Sequence, residues 1–249
     1  MLLKNFAESD GFDKLLKILH NKPNNEVVHT IFGILNSSIN YLHKDFIVLI
    51  GEEVYTSANV FLKDLSSNEL RSMRKDTLEV INKVLKSYLC ASKGKEEGSR
   101  IIEEFSISTA IKFLKTSSLD KRIHAVKTII DIIKSARFDK DKTLAILQLI
   151  EDNQIFNEIY GANSHIQLIN KSKELLEIML NEDKLSDSEI ELIWGATNKG
   201  DLEGKLTILK ILKEISRSLN EKHINTLLGY IYASNSKALI TDEIDVSFY

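Results

Sequence analysis

The chain has 249 residues, enough for one large domain or two small ones, and long enough to bury a substantial core without disulfides or metals. Its single proline and ten glycines are too few for turn-rich β architectures, whereas 43% apolar and 28% charged residues are typical of amphipathic helices. The net charge of −3 argues against a general polyanion binder, and a single cysteine excludes an internal disulfide framework.

Apolar residues recur at steps of three and four along most of the chain, which is helical periodicity. Two capping boxes, Ser66 with Glu69 and Ser186 with Glu189, mark helix starts because each serine and glutamate satisfies a free backbone N–H. The sequence predicts helices at about 10–20, 25–40, 43–63, 67–91, 97–116, 119–137, 140–151, 153–160, 164–182, 187–198, 201–218 and 221–233.

Short connections make consecutive helices pack as antiparallel neighbours, and the pairs recur at roughly 35–45 residues, the period of armadillo and HEAT units. We therefore predict an all-α fold over residues 1–235, an α-solenoid of stacked antiparallel helix pairs that is armadillo- or HEAT-like. The stretch 91–99 is predicted to be a loop inside this single domain. Residues 236–249 are predicted to be a separate C-terminal tail, extended or disordered.

No pattern of residues predicts catalysis, a cofactor or a metal ion. Cys90 ends an amphipathic helix and is predicted to be structural rather than a thiol-protease nucleophile. The six histidines form no zinc-type cluster. The stretch 195–200 has the glycine spacing of a phosphate loop, but Asp201 and Leu202 replace the Lys-Ser/Thr that would hold phosphate and Mg²⁺. A helix C-terminus followed by a tight turn is predicted there instead.

Two surface features have both a functional and a structural interpretation. The basic cluster at 121–127 is of a kind that binds an acidic partner or RNA, but a solvated helical face balanced by Asp120 and Asp131 is predicted. Trp194 is predicted to pack in the core, at a cost of about 3–5 kcal/mol for Trp194→Ala, with a partner-binding hot spot as the alternative. The basic residues of the cluster are Lys121, Arg122, His124 and Lys127.

A distinctive stretch is Leu185-Ser-Asp-Ser-Glu-Ile-Glu-Leu-Ile-Trp194-Gly-Ala-Thr-Asn-Lys-Gly200, followed by an amphipathic helix and Leu219-Asn-Glu-Lys-His-Ile-Asn-Thr-Leu-Leu228. Together with several shorter stretches in the same order, it resembles a region upstream of the catalytic domain in the Fat facets-type ubiquitin-specific proteases. One departure is Arg217-Ser-Leu-Asn-Glu221, where the family has Trp-Asp-Phe-Ser-Pro. The other similar stretches are 3–6 with Gly11-Phe12, 61–70 and 117–126, so the similarity extends from about residue 2 to about residue 233.

The resemblance implies that the chain is a fragment, or a stand-alone relative, of a large deubiquitinase. The Gly- and Asn-rich cysteine box of that family has no counterpart in this sequence, so we expect a non-catalytic scaffold that recognises protein partners or ubiquitinated substrates. Two alternatives remain: a stand-alone α-solenoid adaptor in transport or complex assembly unrelated to ubiquitin, and a peptidase that uses Cys90.

The expected partners are proteins, and neither nucleic acid nor a membrane is expected as a partner. Basic residues are interleaved with acidic ones, so few phosphates are neutralised together. No apolar run approaches the roughly 20 residues that span a bilayer, and no signal peptide is recognised, so a cytoplasmic location is predicted. The sequence leaves open which residues bind a partner, and it leaves the oligomeric state open.

Overall fold

A computed structural model describes residues 2–198 and 201–235, and every regular element within those ranges is helical. The prediction of an all-α fold is therefore confirmed. The chain divides into two compact units, Met1–Ser118 and Leu119–Tyr249, and the single domain predicted over 1–235 stays a prediction. The predicted tail 236–249 lies outside the described residues.

In the first unit, α6 is the central helix, and it packs against α3, α4 and α7. The helices of this unit are α1 (Leu2–Glu8), α2 (Gly11–Leu19), α3 (Asn25–Ser38), α4 (Lys44–Asp64), α5 (Ser67–Ser72), α6 (Lys75–Lys93) and α7 (Lys95–Leu114).

Two glycines bring neighbouring helices close to α6. A Cβ atom at Gly51 of α4 would lie 2.7 Å from Oγ of Ser92, and one at Gly98 of α7 would lie 2.7 Å from the backbone nitrogen of Cys90. Because glycine has no side chain, α4 and α7 approach α6 closely at these points. On a third side, the buried Tyr88 of α6 donates a 3.2 Å hydrogen bond to a backbone carbonyl of α3.

Helix boundaries in this unit differ from the prediction in three places. Helix α1 was not predicted. The helix predicted at 67–91 is two helices, because the chain is extended at Met73 and Arg74. The loop predicted at 91–99 is reduced to Gly94, whose φ of 88° lies in the left-handed region that glycine adopts without a Cβ penalty. Helices α6 and α7 consequently form a tight hairpin.

In the second unit, the helix predicted at 201–218 ends at Ile215 and is followed by the 3-10 turn Ser216–Ser218. The α-helices of this unit are α8 (Leu119–Ala136), α9 (Lys140–Asp152), α10 (Ile155–Tyr160), α11 (Ile166–Asn181), α12 (Asp187–Ala196), α13 (Leu202–Ile215) and α14 (Glu221–Asn235).

Six of these helices pack in two rows, in which each helix contacts one that is not its neighbour along the chain, and α9 packs against α8 and α10. The α8 row contains α8, α11 and α13, and the α10 row contains α10, α12 and α14. The rows contact each other through α10 with α11 and through α12 with α13. Ion pairs between Lys134 and Glu174, and between Lys173 and Glu214, join successive helices of the α8 row.

Both predicted capping boxes are confirmed, but their surroundings differ. Backbone nitrogens of Ser66 and Ser186 donate 2.7 Å hydrogen bonds to Oε2 of Glu69 and Glu189, respectively. Glu69 is exposed, and its hydrogen bonds with Ser66 lower the pKa of its carboxyl group. Glu189 is partly buried, and desolvation raises the pKa of its carboxyl group. The same motif thus stabilises two helix starts, and the burial of Glu189 reverses the direction in which the pKa of the glutamate moves.

Candidate partner interface

Cys90 lies near the end of α6, partly buried, with Sγ 4.0 Å from the carbonyl oxygen of Lys95. Over residues 2–198 and 201–235, no group of three His, Cys, Asp or Glu side chains is arranged to hold a metal ion. Within the same residues, no helix combines the length and the apolar character that crossing a membrane requires.

The basic cluster at 121–127 is divided by burial. Lys127 is exposed, but only 5% of Arg122 is exposed, so the prediction of a solvated face is wrong at Arg122. Its guanidinium donates to the carbonyl oxygen of Asn163 over 2.6 Å and also to the carbonyl oxygen of Glu158. Burial lowers the pKa of the Arg122 guanidinium. This residue joins the start of α8 to the end of α10 and the link that follows it.

Trp194 is only partly buried, so the prediction that it packs in the core is wrong. Its ring stacks on Tyr230 of α14 with a centroid separation of 6.2 Å and an interplanar angle of 15°. At the other end of the same helix pair, Asp187 forms a 2.5 Å ion pair with Lys222 and lies 3.8 Å from Nε2 of His223. The pairs 187–223 and 194–230 have the same sequence separation, so α12 and α14 run parallel.

The stretch 195–200, which has the glycine spacing of a phosphate loop, is in part the end of a helix. Gly195 lies inside α12, which ends at Ala196, and Thr197 at its C-cap has right-handed helical dihedrals. The helix C-terminus is therefore confirmed, but Gly195 has no positive φ. Lys199 and Gly200 lie outside the described residues.

In the second unit, most of the large exposed apolar side chains lie on α13 and α14. Of the seven large apolar residues exposed in the described part of the second unit, five lie on α13 and α14 and two elsewhere. The five are called the terminal apolar set; their exposures are Leu202 71%, Leu206 44%, Ile224 40%, Leu228 40% and Tyr232 70%.

Three of the five residues of the terminal apolar set lie on α14. Ile224, Leu228 and Tyr232 are spaced at i, i+4 and i+8, so they form one stripe along the helix. By contrast, His223 and Leu227 are buried. At the start of the helix the surface is polar and forms an open groove of about 680 Å³, lined by Asn220, Glu221, Lys222, Asn225 and Thr226.

Sequence reasoning missed this stripe, although a signal was present. Residues 224–235 contain no Asp, Glu, Lys or Arg. Within this uncharged segment, Ile224, Leu228 and Tyr232 recur at steps of four, which predicts an apolar stripe on one side of a helix. The same exposed side carries charged and polar residues at its start, among them Glu221 and Asn225.

The architecture of the described residues places the chain in the broad class of all-α proteins. Comparison with known protein sequences narrows this class. The chain is 22% identical over 151 residues to "Ubiquitin carboxyl-terminal hydrolase 9Y" of Mus musculus, a match that covers 54% of this chain and 6% of that protein.

A second relative is "Ubiquitin carboxyl-terminal hydrolase puf" of Drosophila melanogaster, which is 28% identical over 86 residues. That match covers 33% of this chain and 2% of the relative. No family model and no solved structure matches the chain. The chain is thus distantly similar to ubiquitin carboxyl-terminal hydrolases and spans a small fraction of their length, which supports in part the resemblance seen in the sequence.

Proposed function

We propose that the chain is a non-catalytic, protein-interaction scaffold that forms the partner- or substrate-recognition region of a ubiquitin carboxyl-terminal hydrolase. Its partners are other proteins, among them ubiquitinated substrates, and it works in the cytoplasm. The observation that carries the proposal is the stripe of Ile224, Leu228 and Tyr232 on α14, because exposed apolar residues that adjoin one another mark protein interaction sites. The similarity to two ubiquitin carboxyl-terminal hydrolases supplies the link to ubiquitin.

We also propose that the helices form an array of the armadillo or HEAT type. Packing in the second unit supports this. Arg122 and Asn163 are 41 positions apart, and Lys134 and Glu174 are separated by about 40, a spacing close to the period of such repeats. Because both contacts keep nearly the same spacing, α8 and α11 run parallel, as equivalent helices of successive repeats do.

Nucleic acid does not fit the proposal. The net charge is −3, and the stripe on α14 is free of basic residues, so no strip of phosphates is neutralised there. The basic cluster at 121–127 offers less charge to a partner than its sequence indicates, because Arg122 is buried and bonded to backbone carbonyls.

The proposal is tested by recovering partners from cell lysate with the tagged chain, followed by mass spectrometry and detection of ubiquitin on the recovered proteins. We expect proteins that carry ubiquitin, retained after nuclease treatment. Recovery of proteins without ubiquitin would favour the adaptor function unrelated to ubiquitin. Recovery of RNA alone, lost as salt rises, would overturn the proposal.

A peptidase is tested separately with a fluorogenic substrate attached to the C-terminus of ubiquitin. We expect no turnover by the pure chain. Turnover that Cys90→Ala abolishes would show that the chain is an enzyme and that Cys90 is its nucleophile.

A further inference from the structure

The seam between α12 and α14 carries the single tryptophan of the chain. Trp194 and Tyr230, called the aromatic pair, are both partly buried, and their rings stack across this seam. With about 100° of rotation per residue, the exposed Glu191 lies about 60° around α12 from Trp194, and the buried Ile193 lies about 100° away in the opposite direction. Glu191 therefore borders the aromatic pair on its solvent side.

Two glycines leave the backbone open beside the aromatic pair. Gly195 follows the tryptophan and Gly229 precedes the tyrosine, and a Cβ atom at either glycine would have no atom within 4 Å. Each glycine also follows a buried residue, Ile193 or Leu227, by two positions, which places it about 160° around its helix from that residue. Both glycines thus lie on the solvent side of the seam, where a partner can approach the rings.

The seam also contains a carboxylate that lacks a cation. Asp187 of α12 pairs with Lys222 of α14. Glu191 lies one turn further along α12, and within the described residues no basic side chain forms an ion pair with it. One turn beyond Lys222 on α14 is Thr226, whose hydroxyl donates to a carbonyl oxygen of its own helix. Because α12 and α14 run parallel, the position that would supply a cation to Glu191 holds an uncharged residue.

The aromatic pair and Glu191 favour the same kind of ligand. Burial and the nearby carboxylates of Glu191 and Asp187 raise the pKa of the Tyr230 phenol, so the negative charge acts at the ring. A cation is attracted to the face of a tryptophan or tyrosine ring. Among cationic side chains, arginine suits a ring beside a carboxylate, because its planar guanidinium stacks on aromatic faces and donates two parallel hydrogen bonds to a carboxylate.

We propose that the aromatic pair and Glu191 bind an arginine side chain of a partner protein, with the guanidinium against the rings and donating to the carboxylate of Glu191. This inference deepens the proposed function, on which it rests, by naming the side chain that a partner presents. The site lies on a different side of α14 from the stripe of Ile224, Leu228 and Tyr232.

Peptides selected from a random library displayed on phage supply ligands for the full chain. The selected sequences that lack tryptophan are synthesised, and the fluorescence of Trp194 then reports binding at the aromatic pair, because the chain has a single tryptophan. We expect peptides that share an arginine and change this fluorescence saturably. Citrulline keeps the shape of arginine without its charge, so we expect its substitution to weaken the affinity by at least about tenfold.

Variants of the chain then locate the site. Glu191→Gln removes the charge at an exposed position and is expected to weaken the affinity by at least about fivefold. Tyr230→Leu removes one ring and is expected to have a similar effect. The matched control is Glu221→Gln, an exposed carboxylate that lies about 160° around α14 from His223, and it leaves the affinity unchanged. Thermal melting checks folding, and Glu191→Gln alone decides should Tyr230→Leu melt early.

Several results would overturn the inference. These are a library that yields no binder, selected peptides that share no arginine, and an affinity that Glu191→Gln leaves unchanged. Equal affinity after lysine replaces the arginine of the peptide would overturn the choice of arginine. Peptides released by Leu228→Glu instead would place their site on the stripe, contradicting this inference while leaving the proposed function intact. Recovery of no protein partners in the lysate experiment would contradict the proposed function itself.

Discussion

Replacing the buried Arg122 with methionine tests how the second unit is held together. The guanidinium donates to the carbonyl oxygens of Asn163 and Glu158, and Arg122→Met removes both hydrogen bonds. Hydrogen bonds to a charged group are worth roughly 1.5–3 kcal/mol each. The loss falls below the full sum for two reasons. Both hydrogen bonds are only partly buried, so water reaches the freed carbonyls, and the unfavourable burial of the charge is relieved. We expect a net loss of about 2–3 kcal/mol.

That loss corresponds to a melting temperature lower by roughly 6–10 °C for a unit of this size. Circular dichroism of the full chain measures it, and hydrogen exchange localises it, with faster exchange expected in α10 and in the link to α11. The matched control is Lys127→Met, an exposed cation on the same helix, for which we expect no change. Arg122→Lys keeps the charge but lacks the planar fork, so we expect it to melt between the parent and Arg122→Met. An equal loss in Lys127→Met, or an unchanged melt of Arg122→Met, would refute the anchoring role.

Three further predictions concern packing and helix starts. Gly98→Ala is expected to lower the free energy of unfolding by about 1–3 kcal/mol, because the new Cβ would lie 2.7 Å from a backbone nitrogen of α6. Gly33→Ala is expected to raise it by about 0.5–1 kcal/mol, because a Cβ there would have no atom within 4 Å. Urea unfolding measures both changes. Burial raises the pKa of Glu189, so its ionisation costs stability as pH rises above about 4.3, and Glu189→Gln should become more stable relative to the parent over that rise. The pKa of Glu69 is lowered, so Glu69→Gln should be less stable than the parent above about pH 4.3 and as stable as the parent in acid. Thermal melting across a range of pH tests the opposite directions expected for Glu189→Gln and Glu69→Gln. Tyr160→Phe loses a 2.8 Å buried hydrogen bond with a serine hydroxyl and should cost about 1 kcal/mol in urea unfolding.

Helical periodicity was sufficient to predict an all-α chain but not every helix boundary. The break at Met73 and Arg74 contains neither proline nor glycine, so no local signal marks it. The short helix α5 packs on α7, and Leu70 and Met73 are both buried, which places the cause of the break in tertiary contacts. Such contacts override intrinsic helix propensity, and a single sequence does not reveal them.

Arg122 illustrates a signal that was present but given the wrong weight. Its basic neighbours favoured a solvated face, yet Arg122 precedes Val126 by four positions and Ile129 by seven, so helical spacing places it on the apolar side of α8. Periodicity was the better guide, because a long cationic side chain can be buried where carbonyl oxygens receive its hydrogen bonds. The identity of those acceptors, 36 and 41 positions away, could not be predicted from the sequence.

The terminal apolar set required sequence and structure together. The absence of charge over residues 224–235, with Ile224, Leu228 and Tyr232 at steps of four, is visible in the sequence and indicates an apolar stripe on α14. Only the packing shows which side is already covered, because His223 and Tyr230 face α12 while Leu228 and Tyr232 do not.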